Sequence, residues 1–165
     1  GPAFYGQTRV GLGGRKFTAW KFRSMVADAD AVLEQYLAAD PSRRQEWNQY
    51  QKLKADPRVT PVGRFIRKTS LDELPQLWNV LTGEMSLVGP RPMTPDQVEE
   101  YGTFHLYTRL RPGITGLWQI NGRNSKTFHQ RAEFDASYVR NWSAWLDLVV
   151  LVRTIKVVMF CEGSY

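Results

Sequence analysis

The sequence predicts a mixed α+β fold, mostly helical, with a small antiparallel β-hairpin sheet in a single compact domain. Three observations predict it. The chain opens with two apolar-aromatic runs, Phe4 to Val10 and Lys16 to Phe22, on either side of a turn containing Gly11, Gly13 and Gly14. Further along, apolar residues recur at helical spacing in segments punctuated by Pro and Gly. A chain of 165 residues with 42% hydrophobic composition is large enough for one domain with a real core.

The elements follow in order. Apolar positions at Ala27, Ala31, Leu33, Tyr36 and Leu37 predict a helix over about 26–39. Asp40-Pro41 breaks it, and Pro41 suits the first turn of a second helix reaching about Lys54. This 28–54 helical insert is polar outside a narrow stripe, as a solvent-facing excursion or the contact surface of a homodimer would be. Thr60-Pro61 opens a short helix carrying Phe65 and Ile66. Ser70 and Glu73 have the spacing of a capping box and predict a helix to about Leu81, with Pro75 shifting its start toward Asp72. Thr82-Gly83 closes that helix. Gly89-Pro90-Arg91-Pro92 is a rigid loop, because two prolines fix φ and restrict the residues before them. Asp96 to about Tyr107 is expected to be helical, and Pro112–Gly116 a turn or loop. Leu117–Ile120 is expected to be a short strand near the hairpin, Asn121-Gly122 a tight turn, and Phe128–Asn141 a helix. The last segment, Trp145 to Cys161, is apolar except for Asp147, Arg153 and Lys156, which fall toward one side of a helix. Such a helix can bury itself in the core, lie in a bilayer interface, or pack on a membrane segment.

Charge narrows the function. A net charge of +6 implies an anionic partner: nucleic acid, an anionic bilayer or a phosphorylated substrate. Between Pro57 and Leu71 stand Arg58, Arg64, Arg67 and Lys68 with no acid among them. No nucleic-acid reading motif accompanies the basic residues, so no nucleic-acid partner is expected. No run of about 20 apolar residues could span a bilayer. The single cysteine, Cys161, excludes an internal disulfide and suits a reducing compartment. His105 and His129 are isolated and lack zinc-site spacing. The start, Gly1-Pro2-Ala3-Phe4-Tyr5, reads as a cut into a longer protein.

The adjacent carboxylates Asp72 and Glu73 have two readings. Acids at a helix start stabilise the dipole, and Glu73 can close a capping box. Alternatively, a carboxylate that attacks phosphorus needs cations close by to screen the phosphate, and Arg67-Lys68 precede the pair while Arg91 follows in the rigid loop. Arg91 is the foremost phosphate ligand, since its fork can make paired hydrogen bonds to phosphate. Arg123 in the Asn-Gly turn, Arg111, Arg67 and Lys21 are further phosphate-binding candidates. Their bland roles are bonds to loop carbonyls or surface ion pairs. Gly113 and Gly116 serve backbone geometry, and Asp135 and Asp147 read as solvated or capping acids. A carboxylate pair also suits Mg²⁺, which takes one or two carboxylates together with phosphate oxygens.

Five blocks then occur in a familiar order: Lys21-Phe22-Arg23-Ser24-Met25, Arg64 through Leu74, Met85 through Pro92, Arg111 through Gly116, and Asn121-Gly122-Arg123-Asn124. In these the chain resembles the bacterial sugar transferase family, the monotopic polyprenyl-phosphate hexose-1-phosphate transferases. The 28–54 insert and the ending Cys161-Glu162-Gly163-Ser164-Tyr165 look most like its undecaprenyl-phosphate galactose phosphotransferase branch. The resemblance implies a catalytic domain on the cytoplasmic face of the bacterial inner membrane. It also implies a nucleophile at Asp72 and Mg²⁺ held by Asp72 and Glu73. The implied donor is a UDP-sugar, the acceptor undecaprenyl phosphate, and the leaving group UMP. The family carries an N-terminal re-entrant membrane helix that this sequence does not show, so reduced membrane affinity and activity are expected of these residues alone. The competing reading is a non-catalytic anion-binding or polysaccharide-export assembly module.

Overall fold

The aromatic runs at the N-terminus pair as expected. In a computed structural model that describes residues 1–50, 53–121 and 128–159, β1 (Phe4–Val10) and β2 (Lys16–Phe22) form an antiparallel sheet in register from Phe4 opposite Phe22 to Val10 opposite Lys16. Gly13 and Gly14 take positive φ in the connection, a conformation glycine adopts without strain. Strand alternation then sorts the side chains: Phe17 and Ala19 are buried, while Lys16, Thr18 and Trp20 face outward.

The insert is a helical pair, α1 (Ala29–Ala38) and α2 (Pro41–Tyr50), packed around Leu33, Leu37 and Leu53. The second helix is shorter than expected. Leu53 and Lys54 lie outside any helix, and the Lys54 amide donates to the Glu46 carboxylate at 2.9 Å. Next, α3 (Pro61–Lys68) starts at Thr60, whose hydroxyl accepts from the Gly63 amide at 2.9 Å. Any side chain at Gly63 would collide with the Ser24 carbonyl, so glycine lets this helix lie directly on the chain leaving the hairpin.

The acidic pair departs from the capping-box expectation. Ser70 is left-handed at φ 59° and its side chain caps nothing. Leu71–Glu73 form a 3₁₀ turn, and α4 (Gln76–Leu81) begins only after Pro75. Pro75 has no amide to continue an α-helical ladder, so the segment closes with i→i+3 bonds from the Glu73 amide to Ser70 and from the Leu74 amide to Leu71.

The second sheet also differs from expectation. It is parallel, pairing β3 (Ser86–Val88) with β4 (Gly113–Thr115), and Leu117–Ile120 is not a strand but a helical turn, α6. Side chains at Gly113 or Gly116 would strike the backbone of Gly89, so the glycines that read as loop permit this close strand pairing. Leu117 and Ile120 both pack on the cluster of Val88, Tyr138 and Val150, which is helical spacing rather than alternation. The segment expected as one helix over 96–107 is broken. Pro95–Gln97 and Glu99–Tyr101 are 3₁₀ turns, Gly102 turns at φ 57°, and only α5 (Phe104–Tyr107) is α-helical. The final helices, α7 (Phe128–Arg140) and α8 (Ala144–Met159), fall where expected. In α8, Val150 and Val157 are buried, while Trp145, Leu148, Val152, Ile155 and Met159 remain exposed.

One side chain holds α4 to the hairpin. Asn79 is fully buried. Its carbonyl oxygen accepts from the Trp20 amide at 3.1 Å, and its amide nitrogen donates to the Thr18 carbonyl at 2.8 Å and to Glu84 at 2.7 Å. Asn79 thus satisfies a stretch of β2 that has no further strand beside it. Replacing Asn79 by Ala strands a buried donor and acceptor, and the loss is expected to be about 2–4 kcal/mol. Urea unfolding at unchanged m-value measures it, and a loss below about 1 kcal/mol contradicts this role.

Candidate active site

The 3₁₀ turn and α4 direct the two carboxylates differently. Glu73 points to β2, where its carboxylate is 2.7 Å from the Lys21 ammonium with both side chains about four-fifths buried. Asp72 is itself buried, with 9% exposure. Burial first, and the charge of Glu73 second, raise its pKa above the usual carboxylate range, while Lys21 and Arg67 act against the rise. Arg67 is set by a bond from its Nε to the Ser24 hydroxyl at 2.8 Å, which ties the last turn of α3 to the segment following β2. Burial is the main cause lowering the Arg67 pKa, and Asp72 opposes it. Asp72, Glu73, Lys21 and Arg67 are therefore one electrostatic group assembled from β2, α3 and the 3₁₀ turn.

Two clefts meet at this group. The polar one is lined by Arg9, Lys21, Glu73, Gln76, Arg91 and Gln119, among others. The second, a cavity of about 230 Å³, is mainly apolar, with Leu71, Leu74, Leu77 and Val158 on its walls. Glu73, Ile114 and Gln119 line both. Gln119 is fixed by donating to the Ile114 carbonyl at 2.9 Å.

Arg91 is held from beneath. Its amide donates to the Asp135 carboxylate at 3.3 Å, Tyr101 donates its hydroxyl to the same oxygen, and the Arg91 guanidinium sits 5.0 Å from the centroid of the Trp118 ring. Asp135 is 2% exposed, so it is neither solvated nor a cap as its place in a helix implies. Burial pushes its pKa up to about 7, against the pull of Tyr101, the Arg91 amide, and the Arg91 and Arg131 charges. Arg9 enters from β1, donating to the Pro92 carbonyl at 2.9 Å. Sequence reasoning missed Arg9, Gln119 and Asp135. Alternation on β1 could have singled out Arg9, whereas nothing local marks the other two.

Arg111 does not join this group. It is exposed and lines a separate cleft with Arg15, Lys16 and Glu84. Arg123 lies outside the described residues. His129 is exposed and stands 3.6 Å from Glu133. Among the described residues no cluster of three or more His, Cys, Asp or Glu could enclose a metal ion. Asp72 and Glu73 nonetheless fit Mg²⁺ by donor chemistry. Both are hard oxygen donors of the kind that ion takes, and the charge of Glu73 acts on Asp72 in the sense that a nearby cation would relieve.

The family model of the bacterial sugar transferases matches residues 1–161. The chain is 54% identical over its whole length to the undecaprenyl-phosphate galactose phosphotransferase of Salmonella typhimurium, covering 35% of that protein. It is 49% identical, again over its whole length, to the exopolysaccharide production protein ExoY of Rhizobium meliloti, covering 74% of it. It is 42% identical, over 94% of its length, to the UDP-glucose:undecaprenyl-phosphate glucose-1-phosphate transferase of Escherichia coli, covering 32% of that protein. The chain thus spans about a third of the first and third of these relatives.

The raised Asp135 pKa sets a pH dependence of stability. Between its ordinary value of 3.8 and about 7, the folded carboxyl keeps a proton that the unfolded chain releases. This group therefore makes unfolding easier as pH rises through that window. In Asp135→Asn that contribution is gone, so the variant is expected to gain stability relative to the parent between pH 5 and pH 8. Urea titrations at stepped pH check this, and parallel curves for the two proteins contradict it.

Proposed function

The chain belongs to the bacterial sugar transferase family, and from that premise we propose that it is the catalytic domain of an enzyme moving a hexose-1-phosphate from a UDP-sugar to undecaprenyl phosphate. The observation that carries the reading is the meeting of a cationic cleft and an apolar cleft at Glu73, beside Asp72. The basic lining of the first suits phosphate oxygens of a donor, and the apolar lining of the second suits the isoprenoid part of a lipid phosphate. A nucleic-acid or assembly module has no need of an acid between two such chambers.

In the proposed reaction a carboxylate oxygen of Asp72 bonds to the β-phosphorus of the donor. The bond from that phosphorus to the bridging oxygen breaks, and UMP leaves with the electron pair. An oxygen of undecaprenyl phosphate then attacks the same phosphorus, the bond to Asp72 breaks, and the carboxylate is restored. Two displacements at one nucleophile make the kinetics ping-pong. Burial raises the basicity of Asp72, and Lys21 and Arg67 favour its ionised form as the anionic donor approaches. Glu73 is placed to orient the reacting phosphate rather than to take a proton, because a phosphate acceptor needs little deprotonation near neutral pH. Asp72 and Glu73 would be the residues to hold Mg²⁺, which when bound would neutralise phosphate charge. The relatives named for galactose and glucose transfer make UDP-galactose and UDP-glucose the donors to try.

We further propose that the domain works on the cytoplasmic face of the inner membrane. Among the described residues no helix is long and apolar enough to cross a bilayer. Exposed Phe65 on α3, Leu77, Trp78 and Leu81 on α4, and Ile155 and Met159 on α8 suit contact with acyl chains. Arg64, Lys68, Arg153 and Lys156 are exposed on α3 and α8, where anionic headgroups would meet them.

The reaction is tested on the full-length protein in membranes with Mg²⁺ and each UDP-sugar. Intact-mass analysis is expected to show a sugar-phosphate adduct, which Asp72→Asn abolishes together with UMP release. Glu73→Gln is expected to slow adduct formation at least tenfold without preventing it. An adduct that survives in Asp72→Asn refutes the nucleophile, and its absence from the parent protein refutes the covalent route.

Surface attachment is tested separately by flotation of the domain with vesicles containing anionic phospholipid. Phe65→Ser with Trp78→Ser is expected to weaken binding about tenfold or more, and unchanged flotation overturns the placement.

A further inference from the structure

Arg111, which does not join the acidic pair, belongs to a different cleft with a volume of about 470 Å³, the size of a small-molecule site. It shares no lining residue with the two clefts at Glu73. The acidic pair precedes the first turn of α4, whereas Thr82, Gly83 and Glu84 of this cleft follow its last.

Three chain segments build the cleft, and backbone bonds hold them together. The end of the hairpin supplies Arg15 and Lys16, and the Gly13 amide in its turn donates to the Thr108 carbonyl at 2.9 Å. The segment after α4 is tied to the one carrying Arg111 by the Ser86 amide, which donates to the Pro112 carbonyl at 2.8 Å. The Arg111 guanidinium reaches over Gly83, where a side chain would begin 4.0 Å from it. The cations meet no free acid in the cleft. Glu84 is the one carboxylate of the lining, and its Oε2 accepts from the Asn79 side chain at 2.7 Å and the Thr82 hydroxyl at 3.2 Å. Among the described residues no carboxylate comes within ion-pair distance of Arg15, Lys16 or Arg111. A concave surface with three cations against one engaged acid suits a phosphate group.

Apolar residues border the same cleft. Leu12 lines it and is exposed, and Leu81, the residue before Thr82, is 80% exposed. Trp78, one turn earlier on α4, is exposed as well. A free phosphate or nucleotide has no use for such a rim, whereas a phospholipid uses both parts. The geometry points to a headgroup site in which Arg15, Lys16 and Arg111 take the phosphate of an anionic phospholipid, its acyl chains lying against Leu12 and Leu81. This goes beyond the proposed reaction and rests on the proposed membrane placement for the identity of the ligand. The lipid bound here is distinct from the isoprenoid acceptor, whose cleft is walled by Leu71, Leu74 and Leu77. A headgroup held at one end of α4 fixes how the other end, with the acidic pair, meets the bilayer.

Titration calorimetry with dihexanoyl phosphatidylglycerol, kept below its critical micelle concentration, tests the site. Arg15→Gln and Arg111→Gln are each expected to weaken binding about tenfold, the loss of one charge-assisted contact. Arg111→Lys keeps the charge without the fork and is expected to fall between parent and Gln. Arg140→Gln, at an exposed position on α7, is the like-charge control and is expected to stay within about twofold. Dihexanoyl phosphatidylcholine and inorganic phosphate are each expected to bind about tenfold more weakly than the anionic lipid, since one lacks the net charge and the other the chains. No binding of the anionic lipid, equal binding of either comparison ligand, or an equal loss in Arg140→Gln overturns the site. UDP binding is expected to be unchanged in Arg111→Gln, and a matching loss there gives the cleft to the nucleotide and overturns the lipid assignment. If the Gln variants lose the lipid while no adduct ever forms on Asp72, the headgroup site stands and the proposed reaction falls.

Discussion

Where the acidic pair points is settled by the way α4 is hung on the hairpin, and the hanging point is the Asn79 amide. The edge of β2 facing away from β1 needs partners for the Trp20 amide and the Thr18 carbonyl, and Asn79 supplies both from one side chain. With α4 anchored there, the turn before it brings Glu73 against Lys21, the residue next to Trp20 on the same strand. The ion pair is therefore a consequence of a neutral hydrogen-bond clamp. That ordering makes physical sense, since an ion pair formed without such support gains little over its solvated parts.

The charges around the pair are graded by burial. Asp72 and Asp135 are both buried, and both are pushed toward protonation, yet each faces a guanidinium that resists the push. Arg67 serves Asp72 from α3, and Arg91 and Arg131 serve Asp135 from the rigid loop and α7. The loop itself is clamped at several backbone atoms. Asp135 takes the Arg91 amide, Arg9 donates to the Pro92 carbonyl, and the Val10 amide donates to the Met93 carbonyl at 3.0 Å. Two prolines limit its φ angles, and these bonds fix what freedom is left. A cationic loop so restrained spends little ordering entropy when an anion arrives.

Much of this was legible in the sequence, and the failures have local causes. The hairpin, the helix beginning at Thr60, the rigid loop and the last two helices follow from turn chemistry and periodicity, which are short-range signals. The capping box at Ser70 and Glu73 was misleading because Pro75 and the long-range partner Lys21 outweigh a local pattern. Gly113 to Gly116 read as loop because a parallel strand pair depends on a partner some 25 residues distant, Ser86 to Val88, and on glycines that clear its path. Within the site, Lys21, Arg67 and Arg91 do converge around the acids, and Arg111 does not. Asp135 was invisible for the same reason as β4: its role is defined by a loop 44 positions away along the chain.

The two neighbouring carboxylates, alike in sequence, end up in unlike surroundings. Asp72 is the more buried, carries the raised pKa, and has Arg67 beside it, whereas Glu73 is committed to Lys21 and borders both clefts. A 3₁₀ turn advances adjacent residues by about 120° at three per turn, so neighbours leave the backbone in different directions. Had the segment been the regular capped helix that the spacing implied, Glu73 would have closed on the Ser70 amide and been lost to the cleft. The proline that spoils the cap is thus what frees Glu73 for Lys21. A carboxylate with raised basicity thus stands beside one held by a cation. In the proposed transfer the first would attack phosphorus, and the second stands at the boundary between the two clefts.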